Sequence, residues 1–402
     1  MIAIAVIINI STTTAFTASY GLLYKEFLQE IGKSPTNASI MRGFSAICTA
    51  IAGFLTRPLL SIMSVRMLML AAVLMFNTGV ICIMFVKSVF TFHLCHGILQ
   101  GLGFGFIYNL SCTILNDYFV KKRLMAICLV QSAIDKLFRD KKLNEEAGVV
   151  VPIIKLTNAD GHLSNPNEKL YLASEDGESG GINFRKVINA LVDKSLCDEF
   201  LMSCVCAGPA LAMFADTTYS SILPQALFIA GWLQDNIALT HSLYGFGDLA
   251  MRVLFVVLSN WLHKLGSQEL YVLGVTLGLV SRLGMLWSKS FIAMMVYIPL
   301  VGASHCAVTI LIPLVVADAV APQKFTAALG MLMMLSGLVN LVLGPAIGAV
   351  RELSESYGPV FYLIASCFAI IVLFWSIELC YKKNKHKRLQ RREYLRQKKL
   401  NK

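Results

Sequence analysis

Charge is what this sequence lacks most. Only 15% of its 402 residues are Asp, Glu, Lys or Arg, where a soluble protein carries roughly 25%. With 56% of residues hydrophobic and gathered in long runs, that deficit excludes an ordinary soluble domain and points to a chain that crosses a membrane many times. Those runs also lack apolar–polar alternation, which excludes a β-barrel and leaves helices to satisfy the backbone in lipid. The eleven cysteines include no CxxC pair and no Cys/His ligand spacing. Cys48, Cys82, Cys112, Cys206, Cys306 and Cys367 sit in apolar segments and read as free thiols acting as small apolar residues. No nucleophile–base constellation, phosphate loop or metal cluster is visible, so the sequence reads as a non-enzyme with no cofactor. The glycines of "GLGFGF" (Gly101–Phe106) lie inside an apolar run with no strand before them, and suit helix packing. The amino terminus, "MIAIAVIINISTTTAF", has neither a basic n-region nor a clear cleavage site, and reads as a span rather than a signal peptide.

What the sequence does contain is ten apolar runs of spanning length, near 1–23, 41–63, 67–86, 90–118, 199–222, 237–262, 268–288, 290–317, 325–350 and 358–381. About 20 apolar residues cross the hydrocarbon core. Counted this way, Arg57/Arg66, Lys121–Arg123, His263–Lys264 and Lys324 fall on one face, together with the tail after residue 381. That tail holds eleven Lys/Arg against Glu393, nearly the whole of the net charge of +11. The positive face is therefore cytoplasmic, and the tail is placed to touch anionic lipid rather than nucleic acid. The sequon Asn37-Ala38-Ser39 lands on the opposite face, while those at Asn9 and Asn109 fall within spans. From Asp135 to Glu199 the composition changes to nine basic and twelve acidic residues with "SEDGESGG" in the middle, a solvated loop. The domains read as an amino-terminal bundle (1–134), a cytoplasmic charged loop (135–198), a six-span bundle (199–381) and a basic cytoplasmic tail (382–402).

Four intramembrane charges and one intramembrane histidine stand out. Asp248 and Arg252 are four residues apart in an apolar run, so they share a helix face and pair. Alone, each costs about 2.5–3.5 kcal/mol or more at the bilayer centre. The pair serves either a transported solute or only the fastening of its helix. Asp216, in "AMFADTTYSS", is an acid placed to face a cavity or to be wetted from outside. Arg282, in "LVSRLGM", is another candidate cavity charge, and His305 is either hydrogen-bonded packing or a proton relay. Gly274/Gly278 and Gly344/Gly348 have the spacing of close helix contacts.

Several stretches resemble the monocarboxylate transporter family of the major facilitator superfamily. "YGLLYKEF" (20–27) resembles its signature after the first span, and "NDYFVKKR" (116–123) its stretch after the fourth. "GDLAMR" (247–252) matches its D-x-x-x-R pair. "DAVAPQKFTAALGM" (318–331) and "LGPAIG" (343–348) resemble motifs before and within its eleventh span. The likeness runs over most of the chain outside the charged loop, and is nearest to the insect branch. It implies an all-α polytopic membrane protein, a major-facilitator-like helix bundle of about ten transmembrane helices on a twelve-span plan with two missing. In that plan a fifth span follows the basic cluster. Here the apolar run from Leu124 stops at Ile134, about 16 Å of helix or half a bilayer, and no sixth span follows. The family's leader before the first span has no counterpart, as an internal start at Met1 would produce. The facilitator loop motif between the second and third spans is degenerate, "RPLLSIMSVR", keeping Arg57 and Arg66 without glycines.

The resemblance implies that Arg252 holds a substrate carboxylate and Asp248 accepts a coupled proton, with Asp216, Arg282 and His305 as further substrate or proton residues. It departs at the first span, where "FTAS" places Ala18 at the position of a Lys that proton-coupled members have, so proton coupling is not assured. The function implied is secondary transport of a monocarboxylate or related small organic solute across the plasma membrane by alternating access, with symport of protons as one coupling. The alternative is a transport-inactive, truncated form acting as a partner or regulator. Members of that family often need a single-span glycoprotein chaperone to reach the surface, which adds such a protein to the partners implied.

Overall fold

The computed structural model describes residues 35–83, 85–86, 88–118, 124–128, 200, 203–262, 265–288 and 290–400. Among them every regular element is helical. In chain order these are α1 (Pro35–Leu60), α2 (Val65–Ile83), α3 (Val89–Phe92), a π-helical stretch (His93–Gln100) and α4 (Gly101–Tyr118). There follow α5 (Cys204–Ile229), α6 (Gln234–Val257), α7 (Ser259–Leu262), α8 (Ser267–Trp287) and α9 (Phe291–Ala319). A 3₁₀ turn (Pro322–Lys324) then leads into α10 (Phe325–Ser354), and α11 (Gly358–Leu400) ends the chain. Seven helices or helix runs among the described residues are long and apolar enough to cross a membrane. The helices α5 and α6, at 26 and 24 residues, are long enough but less apolar, because they carry Asp216, Asp248 and Arg252. Each predicted span from residue 41 onward therefore falls on a helix. The predicted first span with Ala18, the basic cluster Lys121–Arg123, His263–Lys264, the loop 135–198 and the break after the fifth apolar run lie outside the described residues. Residues 124–128 are helical, and Leu124, Ile127 and Cys128 pack into the carboxy-terminal core.

Two apolar cores are present. The smaller joins α1, α2 and α4 through Ala52, Leu68, Ala72, Phe76, Ile107 and Leu110. The larger is built by α5 to α11, with Tyr271, Ile310, Leu311 and Phe368 among its most enclosed side chains. Glycines set the closest approaches. A Cβ at Gly105 would stand 2.4 Å from the Thr49 carbonyl oxygen, and one at Gly103 2.9 Å from the Phe76 backbone nitrogen, so the "GLGFGF" glycines serve helix contact as their spacing predicts. The same holds for Gly274 and Gly278 against Ala307 and Ser304 of α9. It does not hold for Gly344 and Gly348. A Cβ on either would meet nothing within 4 Å among the described residues, because that part of α10 turns them toward open space.

The two halves meet where α1 lies along α10. A Cβ at Gly330 would come within 2.4 Å of the Gly53 carbonyl oxygen, and one at Gly337 within 2.5 Å of Ala50 Cβ. Asn109 of α4 donates to the Gly53 carbonyl at 2.8 Å and to the Thr326 carbonyl at 3.5 Å, and Thr113 shares a hydrogen bond with Thr326 at 3.1 Å. Arg57 donates to the Gln323 carbonyl at the same end. Asn109 is fully buried, so its sequon serves this seam rather than glycosylation. Helix α11 does not stop where its apolar stretch ends. It continues through the basic tail, tied to the start of α8 by Lys383–Glu269 at 2.7 Å and Lys382–Gln268 at 3.3 Å.

Candidate substrate and proton site

Helix α6 carries the first charged cluster. Asp248 and Arg252 lie one turn apart, and Asp248 Oδ2 accepts from Arg252 Nε at 2.9 Å and Nη2 at 2.8 Å. Each side chain is 9% exposed. Burial at that level is tolerable only because the charges are paired, since a lone buried charge costs several kcal/mol. The pair uses one carboxylate oxygen. Asp248 Oδ1 is buried with no hydrogen-bond partner among the described residues, which leaves an acceptor able to take a proton or a ligand donor.

The second cluster assembles residues from three helices. Asp216 of α5 receives Arg282 of α8 on Oδ1 at 2.5 Å and His305 of α9 on Oδ2. Arg282 also donates from Nη1 to the Gly278 carbonyl at 3.1 Å and to Ser304 Oγ at 3.3 Å. Its guanidinium stacks 4.2 Å from the Phe368 ring centroid and 4.8 Å from that of Tyr219, a packing that suits the planar, weakly hydrated Arg head. Gly278 makes the space, because a Cβ there would stand 2.8 Å from Arg282 Nη1. The three members differ in access: Arg282 and Asp216 are 1% and 2% exposed, His305 25%.

One contact ties the clusters together. A Cβ at Gly247 would stand 1.9 Å from the Pro299 carbonyl oxygen, and one at Gly302 2.0 Å from that of Tyr244 and 3.1 Å from the Asp248 nitrogen. Helices α6 and α9 therefore touch backbone to backbone beside Asp248, one turn from His305. The Tyr244 ring lies 5.6 Å from that of His305. All five residues singled out from the sequence thus sit in two neighbouring clusters. Sequence reasoning missed Tyr244, Ser304 and Phe368, which carry no charge to mark them. Among the described residues no group of three His, Cys, Asp or Glu side chains is placed to hold a metal.

Comparison with known proteins places this geometry. Over 93% of its length the chain superposes on 95% of the human organic anion transporter MFSD10 (TETRAN), with a TM-score of 0.61 at 14% identity. It superposes on the proton:xylose symporter XylE, bound to 6-bromo-6-deoxy-D-glucose, with a TM-score of 0.59 at 14% identity, covering 93% of each chain. FucP in its outward conformation gives 0.62 at 11% identity, covering 94% of this chain and 97% of that one. The fold is a major facilitator fold. By sequence, residues 205–400 match the Major Facilitator Superfamily model, a stretch that contains both charged clusters. No curated protein matches the chain.

Proposed function

We propose that the protein is a secondary carrier that moves a monocarboxylate or related small organic anion across the plasma membrane by alternating access. The observation that carries this reading is the Asp248–Arg252 pair, buried in α6 with Asp248 Oδ1 unpartnered. In a facilitator fold a paired intramembrane charge marks a solute or ion pathway. Arg252 is the anchor. A guanidinium offers a planar fork that matches a carboxylate with two charge-assisted hydrogen bonds, and an arriving carboxylate competes with Asp248 for it. Asp248 stays ionised and its unpartnered Oδ1 accepts from a donor on the solute or from water, which offsets its freed charge. The Asp216–Arg282–His305 cluster, across the α6–α9 contact from the anchor, supplies the second set of charges. Rocking of the two halves about the α1–α10 seam alternates access to the anchor, with loop 135–198 and the basic tail on the cytoplasmic side and anionic lipid against the tail.

Replacing Arg252 with Ala, at unchanged surface level, abolishes uptake of labelled lactate, pyruvate or benzoate. Undiminished uptake of a solute that the wild type carries would remove Arg252 from the site.

A further inference from the structure

Resting on the carrier reading, we propose that His305 takes up the co-transported proton at Nε2, and that Asp216 and Arg282 hold the imidazole in the tautomer and position for that task. Asp216 and Arg282 are too enclosed to shuttle. Titrating either would strand its partner as an unpaired buried charge. His305 is the exposed member, and imidazole is the side chain that changes charge in the physiological range. Its Nδ1 faces Asp216 Oδ2, so Nδ1 carries the hydrogen and donates to the carboxylate. The remaining lone pair is on Nε2, which has no hydrogen-bond partner among the described residues.

Charge accounting links this proton to the solute. With His305 neutral, Asp216 and Arg282 cancel, as do Asp248 and Arg252, and the paired clusters sum to zero. A proton from bulk water on one side forms the Nε2–H bond and brings the sum to plus one. One carboxylate anion on Arg252 returns it to zero, so the doubly loaded carrier crosses with the charge of the empty one. Solute and proton leave together on the other side, Nε2 giving its proton back to water. The groups facing His305 are Asp216 on α5, with Arg282 of α8 on its other oxygen, and Tyr244, Asp248 and Arg252 on α6. Backbone contact of α6 with α9 at Gly247 and Gly302 keeps proton site and anchor in one rigid pair of helices.

The test uses the full chain in proteoliposomes with lactate as probe. His305→Gln keeps a donor for Asp216 while removing the titrating nitrogen. Wild-type uptake rises severalfold as the outer pH is lowered from about 8 to about 6 at fixed inner pH, and H305Q loses that dependence, the ratio of the two rates falling to near one. A ratio in H305Q equal to the wild type's overturns the proposal. A second measurement stands apart from transport. In protein labelled with ¹⁵N-imidazole, the histidine signal missing from H305Q titrates between about pH 5 and 9, with the neutral form protonated at Nδ1. A His305 signal that does not titrate in that range, or is protonated at Nε2 when neutral, overturns the proposal. Absence of wild-type lactate uptake under any gradient counts against the carrier reading, and the imidazole titration then decides the role of His305.

Discussion

Asp216→Asn replaces one carboxylate oxygen by an amide NH2 at nearly unchanged volume and removes the negative charge that both Arg282 and His305 address. It leaves Arg282 as a charge 1% exposed, with Ser304 Oγ, the Gly278 carbonyl and two aromatic faces for company. Removing one partner of a buried ion pair costs about 3–5 kcal/mol because the other charge stays behind. The aromatic faces return about 1–2 kcal/mol of that at most, so a net loss of about 2–4 kcal/mol is expected. The assay is thermal unfolding of the detergent-solubilised protein, where such a loss lowers Tm by roughly 2–5 °C in a chain of 402 residues. The discriminating variant is the double one, D216N/R282M. It removes both charges at similar volume, and its loss should be smaller than that of D216N alone, since apolar replacement of a buried pair is often neutral or better. As an exposed control, Glu269→Gln breaks the Lys383–Glu269 bridge, whose side chains are 65% and 30% exposed, and leaves Tm nearly unchanged, since solvent screens such a pair. A D216N protein as stable as the wild type, or a double variant weaker than the single by the full cost of Arg282, would refute the buried-pair reasoning.

Three further outcomes follow from the packing. Gly302→Ala drives a methyl against the Tyr244 carbonyl, separates α6 from α9, and costs about 1–3 kcal/mol together with most transport. Gly344→Ala, with no neighbour within 4 Å, is neutral or stabilising by up to about 1 kcal/mol through helix propensity; a penalty as large as that at Gly302 would contradict the contrast. Asn109→Ala leaves the Gly53 and Thr326 carbonyls without their donor at the seam between halves, lowering stability by about 1–3 kcal/mol in the same unfolding assay.

Much of the architecture is readable from residue order because lipid imposes a single constraint, about 20 apolar residues per span, and every such run from residue 41 onward coincides with a helix. The Asp248–Arg252 pair is readable for a local reason, the i, i+4 geometry of one helix. The second cluster is not. Asp216 lies 66 residues from Arg282 and 89 from His305, and no periodicity within one helix reports which face of another it will meet. The same limit explains Gly344/Gly348. Their spacing matches that of Gly274/Gly278, yet a small-residue pair brings helices together only when a partner lies opposite, and only the second pair has α9 there. The π-helical stretch His93–Gln100 has no sequence signal of its own; it packs along α1, with Gly97 beneath the Phe44 ring. The apolar break after residue 134 and the substitution at Ala18 remain sequence expectations, since both lie outside the described residues.

The central claim is transport by this chain through Arg252, and counterflow tests it most directly. Purified protein is placed in liposomes preloaded with unlabelled lactate, pyruvate and benzoate in separate batches, and entry of the labelled form is followed in wild type and R252A side by side. Saturable, self-competing entry of at least one of these anions in the wild type, lost in R252A, is the predicted result. Wild-type entry no faster than in protein-free liposomes for all three, or equal entry in both proteins, would contradict the account.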